Sequence, residues 1–168
     1  ELMRTLLAEF APELEARFQE ITVREAYLKY AHWDPWIEND HDRFAFDMAT
    51  KIEPAIKAMG GGVFLMDYPP WAASLSRLRG DVAERWELYW NGVELANCFS
   101  ELNDSKEQFK RFEIAREERR ELGEADYPID MEFISSVEAM GLASGVALGI
   151  DRLVMALLNI SDISLVRA

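Results

Sequence analysis

The sequence predicts an α+β fold, an antiparallel sheet flanked by helices, and three observations carry that reading. Apolar residues recur at helical spacing near both ends and in the middle of the chain. Asn91-Gly92 lies between two strand-like runs, the strongest short-range hairpin signal. Helical and strand patterns are mixed without an internal repeat, an order that favours antiparallel pairing. At 168 residues, 49% of them hydrophobic, the chain suits one domain with a buried core.

The elements follow in order. Leu2, Met3, Leu6, Leu7 and Phe10 fall on one stripe of an amphipathic helix, which Pro12 should end or bend. Thr22 with Glu25 three residues on is a capping-box signature, so TVREAYLKY should open a short helix. AHWDPWIENDHD has no periodicity and reads as loop. Phe44, Met48 and Ile52 suggest a further helix, which Pro54 should disturb. Glycines 60–62 break the chain before VFLMDY, short enough for a buried strand and closed by Pro69-Pro70. The hairpin about Asn91-Gly92 comes next, then a helix over 105–122 with Phe109, Phe112 and Ala115 near one stripe. A polar break holding Pro128 precedes a helical MEFISSVEAM. The chain finishes with a strand, SGVALGI, running into an apolar helix, DRLVMALLNI.

Composition limits the function. A net charge of −13 argues against this chain alone gripping a nucleic-acid backbone, which needs clustered Lys and Arg. The one basic run, 110–124, alternates arginine with glutamate at helical spacing and reads as a solvated, ion-paired helix. No apolar run approaches the roughly 20 residues that cross a bilayer, and ELMRTLLAEF has no basic region leading into an apolar one. The single cysteine, Cys98, allows no internal disulfide. A soluble, cytoplasmic protein is expected.

WELYWNGVELANCFSELND (86–104) sets carboxylates among apolar residues. A two-residue Asn91-Gly92 loop pairs Trp90 with Val93, Tyr89 with Glu94 and Glu87 with Ala96. Strand alternation then puts Glu87, Tyr89, Glu94 and Ala96 on one face, and Trp86, Leu88, Trp90, Val93 and Leu95 on the other. Glu87 and Glu94 become diagonal neighbours about 7–8 Å apart, within reach of a shared hard cation such as magnesium. The alternative is an ordinary wet sheet face. In SGVALGIDRLVM (144–155), Gly145 and Gly149 permit close backbone approach, and Asp151-Arg152 opens a helix whose N-terminus favours an anion. Arg152 could clamp a phosphate there; the plain alternative is Asp151 as an N-cap and Arg152 as a surface charge.

Together these motifs resemble a known family. GVALGIDRLVM is similar to motif 3 of the class II aminoacyl-tRNA synthetases, and RWELYWNGVELANCFSELND with QFKRFE resembles the stretch before it in the lysyl branch. TVREAYLKY is similar to the segment after motif 2. Within that branch Ala147 in SGVALG, VELAN around Glu94, and YPID at 127–130 make the elongation factor P lysyltransferases the nearer likeness. The resemblance implies ATP-dependent activation of lysine or (R)-β-lysine as an adenylate, and transfer to a lysine of elongation factor P, by a homodimer. A lysyl-tRNA synthetase with tRNA as acceptor, and a synthetase-like module without catalysis, are the alternatives.

Carried over residue by residue, the resemblance implies that Glu87 and Glu94 hold magnesium on ATP, with Glu94 also near the amino acid. Leu88 and Gly149 would lie against the nucleotide, and Arg152 would meet its terminal phosphates. Asn97, Phe99, Glu101 and Ala147 would line the amino-acid pocket. A regular strand would turn Asn97, Phe99 and Glu101 away from Glu87 and Glu94, so one pocket requires a bulge, expected near Cys98. Nothing resembles the motif 2 arginine or the motif 1 helix, and the chain is expected to be the C-terminal portion of a catalytic domain, inactive alone. His32 and His41 lie among acids without zinc-like spacing and read as solvated loop. Trp33, Trp36 and Trp71 read as packing covers.

Overall fold

The computed structural model describes residues 1–10 and 18–166. Helix α1 (Leu2–Phe10) is the predicted opening helix; Pro12 lies outside the described residues. Strand β1 (Phe18–Thr22) leads into α2 (Val23–Ala26) through the predicted capping box. Thr22 Oγ1 accepts from the Glu25 amide (3.2 Å), and Glu25 accepts from the Thr22 amide (2.9 Å), so two otherwise orphaned donors are satisfied. A π-helical turn (Tyr27–Ala31) continues it and ends at His32, whose φ is 61°.

Helix α3 (His41–Asp47), a π-helical segment (Met48–Ile52) and α4 (Glu53–Met59) make one continuous helical run. Pro54 therefore does not stop the helix. Its missing N–H and its ring conflict with a regular turn. The π segment directly before it widens the ladder, the Glu53 amide reaching back to the Met48 carbonyl.

Strands β2 (Gly62–Tyr68), β3 (Leu78–Arg79), β4 (Val82–Trp90), β5 (Val93–Ser100) and β6 (Ser144–Leu148) complete a six-stranded sheet of order β1-β2-β4-β5-β6, with β3 on β4. All pairings are antiparallel except β1 with β2. That parallel pair departs from the expected pattern, and β1 itself carries no strand signal. Gln19 and Glu20 are exposed on a sheet edge, and the helical run between β1 and β2 supplies the long crossover that parallel pairing requires.

Two cores face opposite sides of the sheet. Tyr27, Ile52 and Ile56 from the α2–α4 layer pack on Val63, Leu65 and Tyr89. Met3 and Leu7 of α1 and Leu153 of α7 (Ile150–Leu158) pack on Phe64, Leu88, Trp90, Leu95 and Ala96. Helix α5 (Ser105–Glu121) carries the predicted ion pairs, including Arg111 with Glu107 and both Arg116 and Arg120 with Asp126. Hydrogen bonds from those two arginines hold the Asp126 carboxyl well below the usual carboxylate range. Helix α6 (Met131–Ala139) stacks Phe133 on Phe112. No helix among the described residues is long and apolar enough to cross a membrane.

Candidate active site

The hairpin turn forms as predicted: Asn91 and Gly92 both have positive φ (47° and 84°), as a type I′ turn demands. Trp90 pairs with Val93 and Tyr89 with Glu94, but Leu88 then pairs with Ala96 and Glu87 with Asn97. Leu95 is thus an extra residue, a bulge that sends both Leu95 and Ala96 into the core with Leu88 and Trp90. Two expectations are corrected: Glu87 does not face Ala96, and the bulge lies at Leu95, not near Cys98. The consequence is a single charged face, with Arg85 opposite Phe99, Glu87 opposite Asn97 and Tyr89 opposite Glu94.

Strand β6 extends this face, setting Ala147 beside Asn97 and Gly145 beside Phe99. Asn97, Phe99, Glu101, Gly145, Val146 and Ala147 line an open cleft of about 370 Å³. The residues carried over for an amino-acid pocket are therefore brought together. Glu101 folds over Gly145 so closely that a β-carbon on that glycine would sit 2.3 Å from Glu101 Oε1.

At the other end of the face, Gly149 caps α7 without a side-chain cap, and its amide donates to the Leu95 carbonyl (2.8 Å). Asp151 is thus not the N-cap. Arg152 Nη1 donates to both the carbonyl and Oε2 of Glu94, each at 3.1 Å. Both side chains are well exposed, 48% and 35%, so the pair contributes only about 0–1 kcal/mol and can be exchanged at little cost. Glu87 is far better held: Arg85 donates to Oε1 and the Tyr89 hydroxyl to Oε2 (2.8 Å). Burial, then the charge of Glu87, pushes the Tyr89 hydroxyl up and keeps it a donor.

Leu88, carried over as lying against the nucleotide, has its side chain fully buried in the α1/α7 core, on the opposite face of the sheet from Glu87. Cys98 pairs with Trp86 and so points away from the cleft; burial pushes its thiol up, the charge of Glu101 adding to this. Cys98→Ala is accordingly expected to leave ligand affinity at this cleft unchanged, as measured by titration calorimetry.

Two residues at the site escaped the sequence reading. Arg85 was legible in principle, lying two residues before Glu87 and hence on the same strand face. Glu53 was not, since only the packing of α4 brings it near. Burial, then the charges of Glu87 and Glu94, pushes its carboxyl up, with Arg152 opposing.

The donor set suits a hard cation. Glu87, Glu94 and the buried, unpartnered Oδ1 of Asn97 are all oxygens on one face. Among the described residues no group of three or more His, Cys, Asp or Glu is close enough to hold a metal by itself. Magnesium on a nucleotide needs only one or two carboxylates, because phosphates complete its shell. His41 stacks on Trp71 (4.3 Å), and Trp33, Trp36 and Trp71 each bond through Nε1 to Asp47, Asp81 and Pro35, as packing covers do.

The family model of the class II tRNA synthetases (D, K and N) matches residues 1–168. Three similar proteins each bear the name elongation factor P--(R)-beta-lysine ligase. That of Proteus mirabilis is 45% identical over 118 residues, covering 67% of this chain and 36% of the relative. That of Vibrio parahaemolyticus is 46% identical over 130 residues (74% and 38%), and that of Hamiltonella defensa 41% over 138 residues (78% and 42%). The chain thus spans well under half the length of these relatives.

Proposed function

The chain belongs to the class II tRNA synthetases (D, K and N), and on that premise we propose that it supplies the C-terminal part of the catalytic domain of an ATP-dependent ligase. The intact protein, a cytoplasmic homodimer, activates (R)-β-lysine or lysine as an adenylate and passes it to a lysine of elongation factor P. The names of the similar proteins support the acceptor. The observation that carries the reading is the shared face: the bulge at Leu95 aligns Glu87, Glu94 and Arg152 with the cleft of Asn97, Phe99, Glu101 and Ala147.

In this mechanism Glu101 receives the substrate's side-chain ammonium, Asn97 hydrogen-bonds the polar groups at its other end, and the Phe99 ring packs along its aliphatic chain. Ala147, a methyl on the cleft wall, tunes which amino acid fits. Glu87 and Glu94 would hold magnesium; bound there, it neutralises charge on the triphosphate. Arg152 leaves Glu94 for the terminal phosphates, and Gly149 and the Leu88 backbone border the nucleotide. The substrate carboxylate is then aligned to attack the α-phosphate, forming the adenylate as the α–β phosphoanhydride bond breaks and pyrophosphate leaves, with positioning and charge neutralisation supplying most of the rate. An arginine on the α-phosphate and the dimer-interface helix would come from the rest of the intact protein.

The test is ATP–pyrophosphate exchange with the intact protein, followed by transfer of labelled amino acid. Exchange dependent on (R)-β-lysine or lysine, with label on elongation factor P, is expected; the 168-residue chain alone should give none. Label on tRNA would make this a lysyl-tRNA synthetase. No exchange by the intact protein would leave a binding module.

A further inference from the structure

Arg85 touches both ends of the candidate site. Its Nη2 donates to Glu87 Oε1 (2.5 Å) and its Nη1 to the Ala72 carbonyl (3.2 Å). The guanidinium lies 4.3 Å from the ring centre of Tyr68 and 5.6 Å from that of Phe99, directly opposite it in the sheet. Only 17% of the side chain is exposed. Because the second oxygen of Glu87 is taken by Tyr89, the carboxylate cannot rotate without breaking a bond to one of these two donors. The ring of Phe99, in turn, rests on a cation that cannot move without pulling on Glu87.

We propose that Arg85 is a positioning residue that couples the two halves of the site, holding the Glu87 carboxylate at the triphosphate end in register with Phe99 at the amino-acid end. This rests on the functional reading above. Arginine is required because one planar group must both donate in two directions and present its faces to two aromatic rings. A lysine keeps the charge but has neither the fork nor the plane. Binding of either substrate that firms its own half should therefore firm the other.

The experiment uses the intact protein and its Arg85→Lys and Phe99→Leu variants. Amino-acid affinity is measured by calorimetry with (R)-β-lysine and lysine, without nucleotide or magnesium; KM for magnesium–ATP is measured by exchange, and folding by thermal melting. Arg85→Lys is expected to weaken both substrates by about tenfold, the scale of one charge-assisted hydrogen bond. Phe99→Leu leaves every charge in place, and it is expected to raise KM for magnesium–ATP as well as weaken the amino acid. It keeps the test valid should Arg85→Lys fail to fold. Effects of either variant confined to one substrate, or absent, overturn the coupling while leaving the functional reading intact. A wild-type protein that binds neither amino acid overturns both.

Discussion

Replacing Arg152 by alanine in the intact protein is expected to slow adenylate formation by about 10²- to 10³-fold, the usual cost of deleting one preorganised donor to developing charge. Its partner in this structure is Glu94, through a half-exposed contact worth so little that the melting temperature should fall by no more than about 4 °C. The small structural cost and the large kinetic one separate a phosphate clamp from a structural ion pair. Arg152 stands in the first turn of α7, whose leading amides have no side-chain cap. Guanidinium and helix terminus therefore favour an anion at the same place. Arg152→Lys should recover part of the rate, since charge returns without the bidentate fork. The measurement is pyrophosphate exchange at saturating substrates; a rate for Arg152→Ala within tenfold of wild type would remove Arg152 from the mechanism.

What could be read from the sequence, and what could not, divides along physical lines. Local signals held because they are satisfied within a few residues: the Thr22–Glu25 box, the Asn91-Gly92 turn and the ion-paired helix α5 need no distant partner. Strand β1 was illegible because a short polar edge strand is specified by the β2 edge it joins. The register beyond Leu88 was illegible for a related reason. Alternation predicts Glu87 against Ala96, but burying Leu95 and Ala96 together in one core outweighs regular alternation.

That single bulge reverses the functional geometry. Without it Asn97 and Phe99 would face the α1/α7 core and Cys98 the cleft; with it Cys98 is turned away and the pocket residues join Glu87. Family resemblance named those residues but could not say how one face would hold them. Glu53 shows the limit from the other side. A glutamate opening a helix beside a proline is an ordinary pattern, and only the packing of α4 over the sheet makes it a third carboxylate near Glu87 and Glu94.

Gly145→Ala is expected to be the most selective disruption of the site. The backbone of Gly145 is not in the left-handed region, and it sits inside β6, so alanine itself is compatible with the strand. The added methyl, however, would come 2.3 Å from Glu101 Oε1, a distance no real contact tolerates. Glu101 ends a flexible side chain, so the carboxylate will move and the fold will stay. If that carboxylate is the partner of the substrate ammonium, its displacement costs up to about 3 kcal/mol, on the order of a hundredfold in amino-acid affinity. KM for magnesium–ATP, measured at saturating amino acid, should change little, because Arg85 and Phe99, which link the two ends of the face, are left in place. Glu101→Ala should reproduce the loss, and combining it with Gly145→Ala should add nothing further, since one change already undoes what the other does. Calorimetry on the three variants decides it: an unaltered affinity in Gly145→Ala, or additive losses in the double variant, would separate Glu101 from the ammonium and leave Gly145 as a packing glycine.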